Sequence, residues 1–482
     1  MRTLLALVAL AATFSAGAPG GSVDDFVDDF VDDEMAASGV PGLAYAVVAD
    51  GRTEAVGARG VVRRGGGVAV TEDTPFLLGS ISKSFTALSV MQLVEAGTVD
   101  LDTQVGDYLE AFSGVPAGAI TVRQLLSHTS GYSTTQGNTS RPSPTDAGDE
   151  LARAAEELAA VTPEGPAGTR WDYSNANYVI LGRLVEVASG QAFQAYVTEH
   201  VLRPVGMDHS FVADGEVHDE MATGHRPWFG TKRPLPDNST DRATAPQGGV
   251  VASADDLARY LQMTMNGEDD VLSAEGKALM MRPASDASPS YGLGWHVDAS
   301  TGAVWHDGVS PGVETLAVMV PAEEKAALVL VNGGSGFGFG ETGRLRTGIV
   351  DRALGLDVDR SDGSDGSDGS AWSRQSLFVA LVVMPVVYLL SMLWAWRHRA
   401  GIRAKTRSGV AGLLSLWFPL VTTLAAAWVL LGLVPGLFGT PLGTLHGFSP
   451  DLASALAASG VTGVAWAVFR LAVAYTAPDR AA

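Results

Sequence analysis

The chain has 482 residues, 46% of them hydrophobic, with a formal net charge of −21 and no cysteine. That length exceeds one ordinary domain and fits a large globular domain plus a further region. Lysine is confined to Lys83, Lys232, Lys277, Lys325 and Lys405. With no basic patch in the soluble part, nucleic-acid binding is set aside, and the missing thiols exclude cysteine nucleophiles, cysteine metal sites and disulfides.

In chain order, Met1-Arg2-Thr3 precedes an apolar run from Leu4 to Phe14 and small residues to Ala18. This pattern predicts a secretory signal peptide over residues 1–18, too short for the ~20 apolar residues of a membrane span. Val23 to Met35 carries valine and phenylalanine at helical spacing with aspartates opposite, which predicts an amphipathic helix ended by Pro41-Gly42. Leu43 to Val48 reads as a buried strand, Asp50-Gly51 as a turn and Arg52 to Val62 as the hairpin partner. Ile81 to Ala96 reads as a helix with a strongly apolar face, stopped by Gly97.

Residues from Leu101 to about Thr240 are rich in glycine, proline and helical stretches. The pattern then returns to strands at Tyr291–Val297, Ala303–His306, Thr315–Val320 and Ala327–Val331, with turns at Asp298–Gly302 and Pro321–Lys325. Strands at both ends with helices between predict an α/β (α+β) domain over residues 19–356. Its antiparallel sheet is flanked by helices and carries an inserted helical lobe, and a small-molecule site is expected in the cleft between sheet and lobe.

Residues 357–375 form a Ser/Asp/Gly linker with repeats from Ser361 to Ser370. Residues 376–482 contain apolar runs at Leu377–Trp396, Val410–Val434 and Ala453–Tyr475, each long enough to cross a bilayer. The first connection carries Arg397, Arg399, Arg403, Lys405 and Arg407, whereas the second lacks lysine and arginine. By the positive-inside rule the first is cytoplasmic and the second outside. A signal peptide gives the same orientation: a domain outside a cell membrane, three spans in the lipid and a cytoplasmic C-terminus.

Three short segments carry chemistry. In Gly79-Ser80-Ile81-Ser82-Lys83, the Ser80 hydroxyl and Lys83 amine are three residues apart at the start of a helix and so share a face. A serine needs a base to take its proton, and a lysine serves if burial lowers its pKa. The helix start also offers the Ser80 N–H to a developing oxyanion. In Tyr173-Ser174-Asn175, a phenol can share a proton with that pair and an amide can orient Lys83 and a substrate carbonyl. In His306-Asp307-Gly308, His306 would project a donor into the cleft and Gly308 would let the backbone approach a ligand. Taken singly, each segment also suits an ordinary structural role: a helix cap, an aromatic loop packed on the core, and a surface turn.

Together, their order and flanking text resemble the serine β-lactamase and penicillin-binding-protein superfamily, closest to its class C β-lactamase, esterase and D-amino-peptidase branch. The supporting text includes Phe76-Leu77-Leu78-Gly79-Ser80, Leu125-Leu126-Ser127-His128-Thr129-Ser130-Gly131, Gly248-Gly249-Val250-Val251-Ala252-Ser253 and Tyr291-Gly292-Leu293-Gly294-Trp295. The resemblance implies that Ser80 forms an acyl-enzyme while Lys83 and Tyr173 share the base and acid roles. It implies an oxyanion hole from the N–H groups of Ser80 and Val309, with Asn175, His306 and Gly308 binding substrate. Where many relatives carry Lys-Thr/Ser-Gly this chain has His306-Asp307-Gly308, which turns the expectation from β-lactams toward esters, amides or D-amino-acid peptides. His128 is expected to be structural, and neither a cofactor nor a metal is inferred. The competing reading is a non-catalytic or weakly catalytic binding or sensor domain tethered to the membrane; no oligomeric state is indicated.

Overall fold

The computed structural model describes residues 23–139, 148–355 and 368–476. The expected signal peptide and most of the Ser-Asp-Gly repeat lie outside these residues.

Helix α1 (Val23–Ser38) leads into strands β1 (Gly42–Ala49) and β2 (Arg52–Gly60), which pair as the expected hairpin with one register shift at Val47/Val48. The chain returns to the same sheet some 240 residues later. There β3 (His296–Val297), β4 (Val304–Ser310), β5 (Val313–Val320) and β6 (Lys325–Val331) complete the antiparallel order β2-β1-β6-β5-β4-β3. The seam is β1 against β6, with Leu43 opposite Val331 and Val48 opposite Ala326.

Side chains alternate across a strand, and β1 uses both faces. Leu43, Tyr45 and Val47 pack with Val31 of α1 and with Leu345 and Ile349 of helix α5 (Gly343–Leu354). Ala44, Ala46 and Val48 face the larger core, which holds Phe85, Leu257 and Leu261. Helices therefore cover the sheet on both sides, as expected.

Helix α2 (Ser82–Glu95) lies at the centre of the larger core and is preceded by a 3-10 turn at Gly79–Ile81. Its surroundings differ from an apolar face turned to a core: Ser82, Ser84, Thr86 and Ser89 are buried too. Their hydroxyls are satisfied, since Ser84 donates to the Ile81 carbonyl, Ser89 to Phe85 and Thr86 to Pro246, while Ser82 accepts from the Val250 N–H. Phe85 stacks on Tyr260 of helix α4 (Ala254–Met265) at 3.9 Å. The inserted lobe contains helix α3 (Asn175–Ser189) and several shorter helices. It also holds a hairpin, His225–Trp228 with Thr231–Pro234, that the sequence reading did not find.

Two strand expectations are corrected. Tyr291–Val297 is extended only at its end, because Gly292 donates back to the Trp295 carbonyl in a tight turn. Gly294 (φ 85°) fits there against Ala87 and Lys83 of α2, where a Cβ would sit 2.7 Å from the Ala87 Cβ. The segment predicted as Ala303–His306 runs on to Ser310, so His306-Asp307-Gly308 lies within β4, not at its end.

Among the described residues three helices are long and apolar enough to cross a membrane: Ala371–Arg397, Gly409–Leu437 and Pro450–Tyr475. They match the three expected runs. The third packs between the others, with Ser459 donating to the Leu381 carbonyl and Gly463 against the Tyr388 ring. One end of the bundle meets the sheet domain. Phe378, Leu445 and Leu452 pack with Phe337, Arg374 pairs with Glu341 at 2.8 Å, and Asp451 accepts from the Phe229 N–H at 3.0 Å.

Candidate active site

Gly79-Ser80 sits where the 3-10 turn meets β4. Leu78 donates to the Val250 carbonyl and its own carbonyl accepts from Thr315, which fixes the entry to the turn. Gly79 has φ 57°, a region that favours glycine, and a Cβ there would lie 2.8 Å from the Val309 nitrogen. Gly308 is pressed equally hard against the Leu78 carbonyl and the Thr315 hydroxyl. Two glycines thus bring the Ser80 and Val309 backbone together.

At the start of α2, one turn after Ser80, Lys83 is fully buried, and its Nζ lies 2.9 Å from Ser80 Oγ and 2.8 Å from the Gln247 carbonyl. Burial pulls its pKa from 10.5 down to about 7, against a smaller upward pull from Asp307. Among the described residues no carboxylate forms an ion pair with it; a carbonyl, a hydroxyl and the rings of Tyr173 and Tyr178, at 4.9 and 5.6 Å, surround it. A cation in such surroundings gives up its proton readily.

Tyr173 completes the cluster. Burial holds its pKa well above 10 against a downward pull from Ser80, with Asp307 adding to the rise. The phenol is therefore protonated at neutral pH, suited to giving or relaying a proton. Asn175, at the first turn of its helix, donates from Nδ2 to Asn138 Oδ1 at 2.8 Å. Its Oδ1 is buried without a partner.

His128 holds this loop in place. Its Nδ1 accepts from the Ser174 N–H at 3.1 Å and from Asn177 Nδ2 at 3.0 Å, and its ring lies 4.3 Å from that of Tyr173. Burial lowers its pKa well below 6.5, with Lys83 contributing, so it is neutral. Among the described residues its Nε2 has no hydrogen-bond partner.

The expectation that His306 projects into the cleft is corrected. The ring is completely buried, Nδ1 donating to the Asp307 carbonyl at 2.7 Å and Nε2 accepting from the Tyr291 hydroxyl at 3.2 Å. Burial, followed by His296 and Lys83, drives its pKa well below 6.5. Alternation along β4 turns His306 inward under Tyr173 and turns Asp307 and Val309 toward the cleft. Donor atoms of His296, His306 and Asp307 lie within 4.8 Å of one another. Both His306 nitrogens are already hydrogen-bonded, to the Asp307 carbonyl and the Tyr291 hydroxyl.

The structure thus gathers Ser80, Lys83, Tyr173, Asn175 and Val309 around one cleft of about 1470 Å³, with His306 and Gly308 beneath it. Sequence reasoning missed the Gln247 carbonyl, Asn138 and the Tyr291–His306 bond. A main-chain acceptor leaves no side-chain signature, although Gln247 directly precedes the Gly248-Gly249 segment that was singled out.

Antiparallel sheet, buried helix and Ser80–Lys83 cleft together define the β-lactamase fold. The beta-lactamase family matches residues 27–350, and the chain belongs to that family, whose members are generally serine hydrolases. It is 35% identical over 319 residues to penicillin-binding protein 4 of Amycolatopsis lactamdurans, covering 61% of this chain and 81% of that protein. Protein flp of Staphylococcus aureus (strain MRSA252) is 23% identical over 408 residues, covering 82% of this chain and 79% of that one. Among solved structures, the octameric penicillin-binding protein homologue from Pyrococcus abyssi superposes with a TM-score of 0.57 at 25% identity, covering 64% of this chain and 73% of that chain.

Proposed function

We propose that the protein is a membrane-anchored, extracytoplasmic serine hydrolase that cleaves an ester or amide through an acyl-enzyme on Ser80. The observation that carries this reading is the 2.9 Å approach of a Lys83 amine with a pKa of about 7 to the Ser80 hydroxyl. Near neutral pH a large share of Lys83 is uncharged and able to accept a proton, a suitable setting for a general base.

In the proposed cycle neutral Lys83 takes the Ser80 proton while Ser80 Oγ bonds to the substrate carbonyl carbon. The N–H groups of Ser80 and Val309 receive the oxyanion. As the tetrahedral adduct collapses, the bond to the alcohol or amine breaks and a proton passes from the Lys83 ammonium to the leaving group through the Tyr173 hydroxyl. The high pKa of Tyr173 favours this donor role over a phenolate base. Water then attacks the acyl-enzyme, one proton going to Lys83 and its oxygen to the acyl carbon; as the ester bond to Ser80 breaks, Lys83 returns that proton to Ser80 Oγ and the acid departs. Asn175 orients the substrate.

A neutral, buried His306 beside an acidic cleft residue offers no fixed positive charge to a substrate carboxylate. That favours neutral esters or amides, including D-amino-acid peptides, over β-lactams. The three apolar helices and the arginine-rich first connection support an outer catalytic domain and an inner C-terminus.

The test is labelling of the full chain in detergent by a fluorescent fluorophosphonate, beside Ser80→Ala. Labelling of the wild type alone is expected. Equal labelling of both, or of neither, removes Ser80 as the nucleophile.

A further inference from the structure

The Ser80 cleft is not bounded by the sheet and lobe alone. Its far side is formed by residues 438–449, which connect the second and third apolar helices, and by the start of the third: Phe438, Thr440, Leu445 and Leu452 line the same cavity as Ser80 and Asn175. Its volume of about 1470 Å³ exceeds the roughly 300–1,000 Å³ of an ordinary small-molecule site.

This connection is tied to the catalytic loop by specific bonds. Asn175 donates to Asn138 at 2.8 Å, and Asn138 Nδ2 donates in turn to the Gly439 carbonyl at 3.0 Å. Gly439 (φ 62°) also abuts Thr134, whose hydroxyl donates to the Tyr173 carbonyl. Tyr173 and Asn175 are therefore each joined to Gly439 through a single intervening residue. Farther along, Arg226 reaches the Gly447 carbonyl and Phe337 meets Phe438 edge-on.

Among the described residues two buried oxygens have no partner at this junction: Asn175 Oδ1 on the catalytic side and Thr440 Oγ1 on the connection. Thr440 is only 9% exposed. Buried polar atoms are nearly always bonded, and an orphan in a cavity marks a place for a ligand group. Beside these oxygens the lining turns apolar at Phe438 and Leu445, adjoining the exposed Leu437 at the end of the second apolar helix.

We propose that the connection 438–449 is the far wall of the substrate site, that Thr440 contacts the substrate, and that the substrate is an acyl ester or amide carried by an amphiphile anchored in the adjacent leaflet. This rests on the acyl-transfer reading of Ser80. The polar, scissile end lies between Ser80, Asn175 and Thr440, and the apolar part leaves past Phe438 along the helix ends. Anchoring confines such a substrate to the membrane surface where the cleft opens, raising its effective concentration. A compact soluble ester fills only the Ser80 end and does not reach Thr440.

The test uses the full chain in phosphatidylglycerol vesicles with two fluorogenic substrates, 4-methylumbelliferyl palmitate in the bilayer and 4-methylumbelliferyl acetate in solution. Rates are normalised to fluorophosphonate-labelled Ser80, so a poorly folded variant is not counted. The wild type is expected to prefer the palmitate in kcat/KM. Thr440→Val and Phe438→Ser should each lower the palmitate-to-acetate ratio ~10-fold, the scale of one lost hydrogen bond or one apolar contact. Thr440→Ser should restore it. A ratio within twofold of wild type in both variants, or wild-type preference for the acetate, overturns the proposal. Loss of both activities in Ser80→Ala accompanies either result; their survival would instead sink the Ser80 reading on which it stands.

Discussion

Gly79 lies against Val309 so closely that a side chain on the first would begin 2.8 Å from the amide nitrogen of the second. This approach sets the distance between the Ser80 and Val309 N–H groups. Gly79→Ala would add a clash at a residue with φ 57° and push β4 away from the turn. The expected outcome is a fall of at least ~100-fold in kcat/KM for a p-nitrophenyl ester, the cost of losing one oxyanion donor. A loss below fivefold would show that the close packing does not set this geometry.

Lys83 is chemically useful because it is badly solvated. Its pKa near 7, against 10.5 when exposed, means that the unfolded chain binds more protons between these values. Stability should therefore rise as pH increases from about 7 toward 10.5, and the gain is lost as pH falls through 7. Lys83→Met removes the buried amine and fills its space. It should abolish hydrolysis while stabilising the full chain by about 1–3 kcal/mol, read by denaturant unfolding in detergent near pH 7. A variant less stable than the wild type would show that the bonds to Ser80 and Gln247 outweigh desolvation.

Asp307 faces the cleft with its side chain 30% exposed and holds the Lys83 pKa up. Asp307→Asn should lower that pKa, so more Lys83 is neutral at a given pH. The acidic limb of the kcat/KM profile should move to lower pH and activity at pH 6 should rise relative to pH 8. An unmoved limb would assign it to another group.

His128 combines a positive φ of 57° with two accepted hydrogen bonds. His128→Leu would strand the Ser174 N–H and the Asn177 amide in the core, at a cost of about 2–4 kcal/mol. His128→Asn keeps an acceptor and tolerates the left-handed backbone, so it should lose less than half as much. Equal losses, measured by thermal unfolding, would place the role of His128 in its ring packing alone.

Much of this architecture was legible because it depends on local pattern. Alternating and continuous apolar runs marked β1, β5 and β6, since strand burial repeats with the chain itself. The strand at Tyr291 was misread because its apolar residues are spaced by glycines that allow a tight turn against α2. The hairpin at His225–Trp228 gave no signal, since Pro227, Arg226 and Lys232 suit a strand only through what they touch.

What the sequence determined by itself was the proximity of Ser80 and Lys83, because a helical turn places residues three apart on one face wherever it occurs. It likewise determined the three long apolar helices, whose length and lack of charge are properties of the chain. Tertiary structure alone decided the proton affinity of Lys83, the inward turn of His306, and the lining of the cleft by Phe438 and Thr440. Each of these depends on which distant segments exclude water from a group or supply its partner, and residues that meet only on folding leave no periodic trace in the chain.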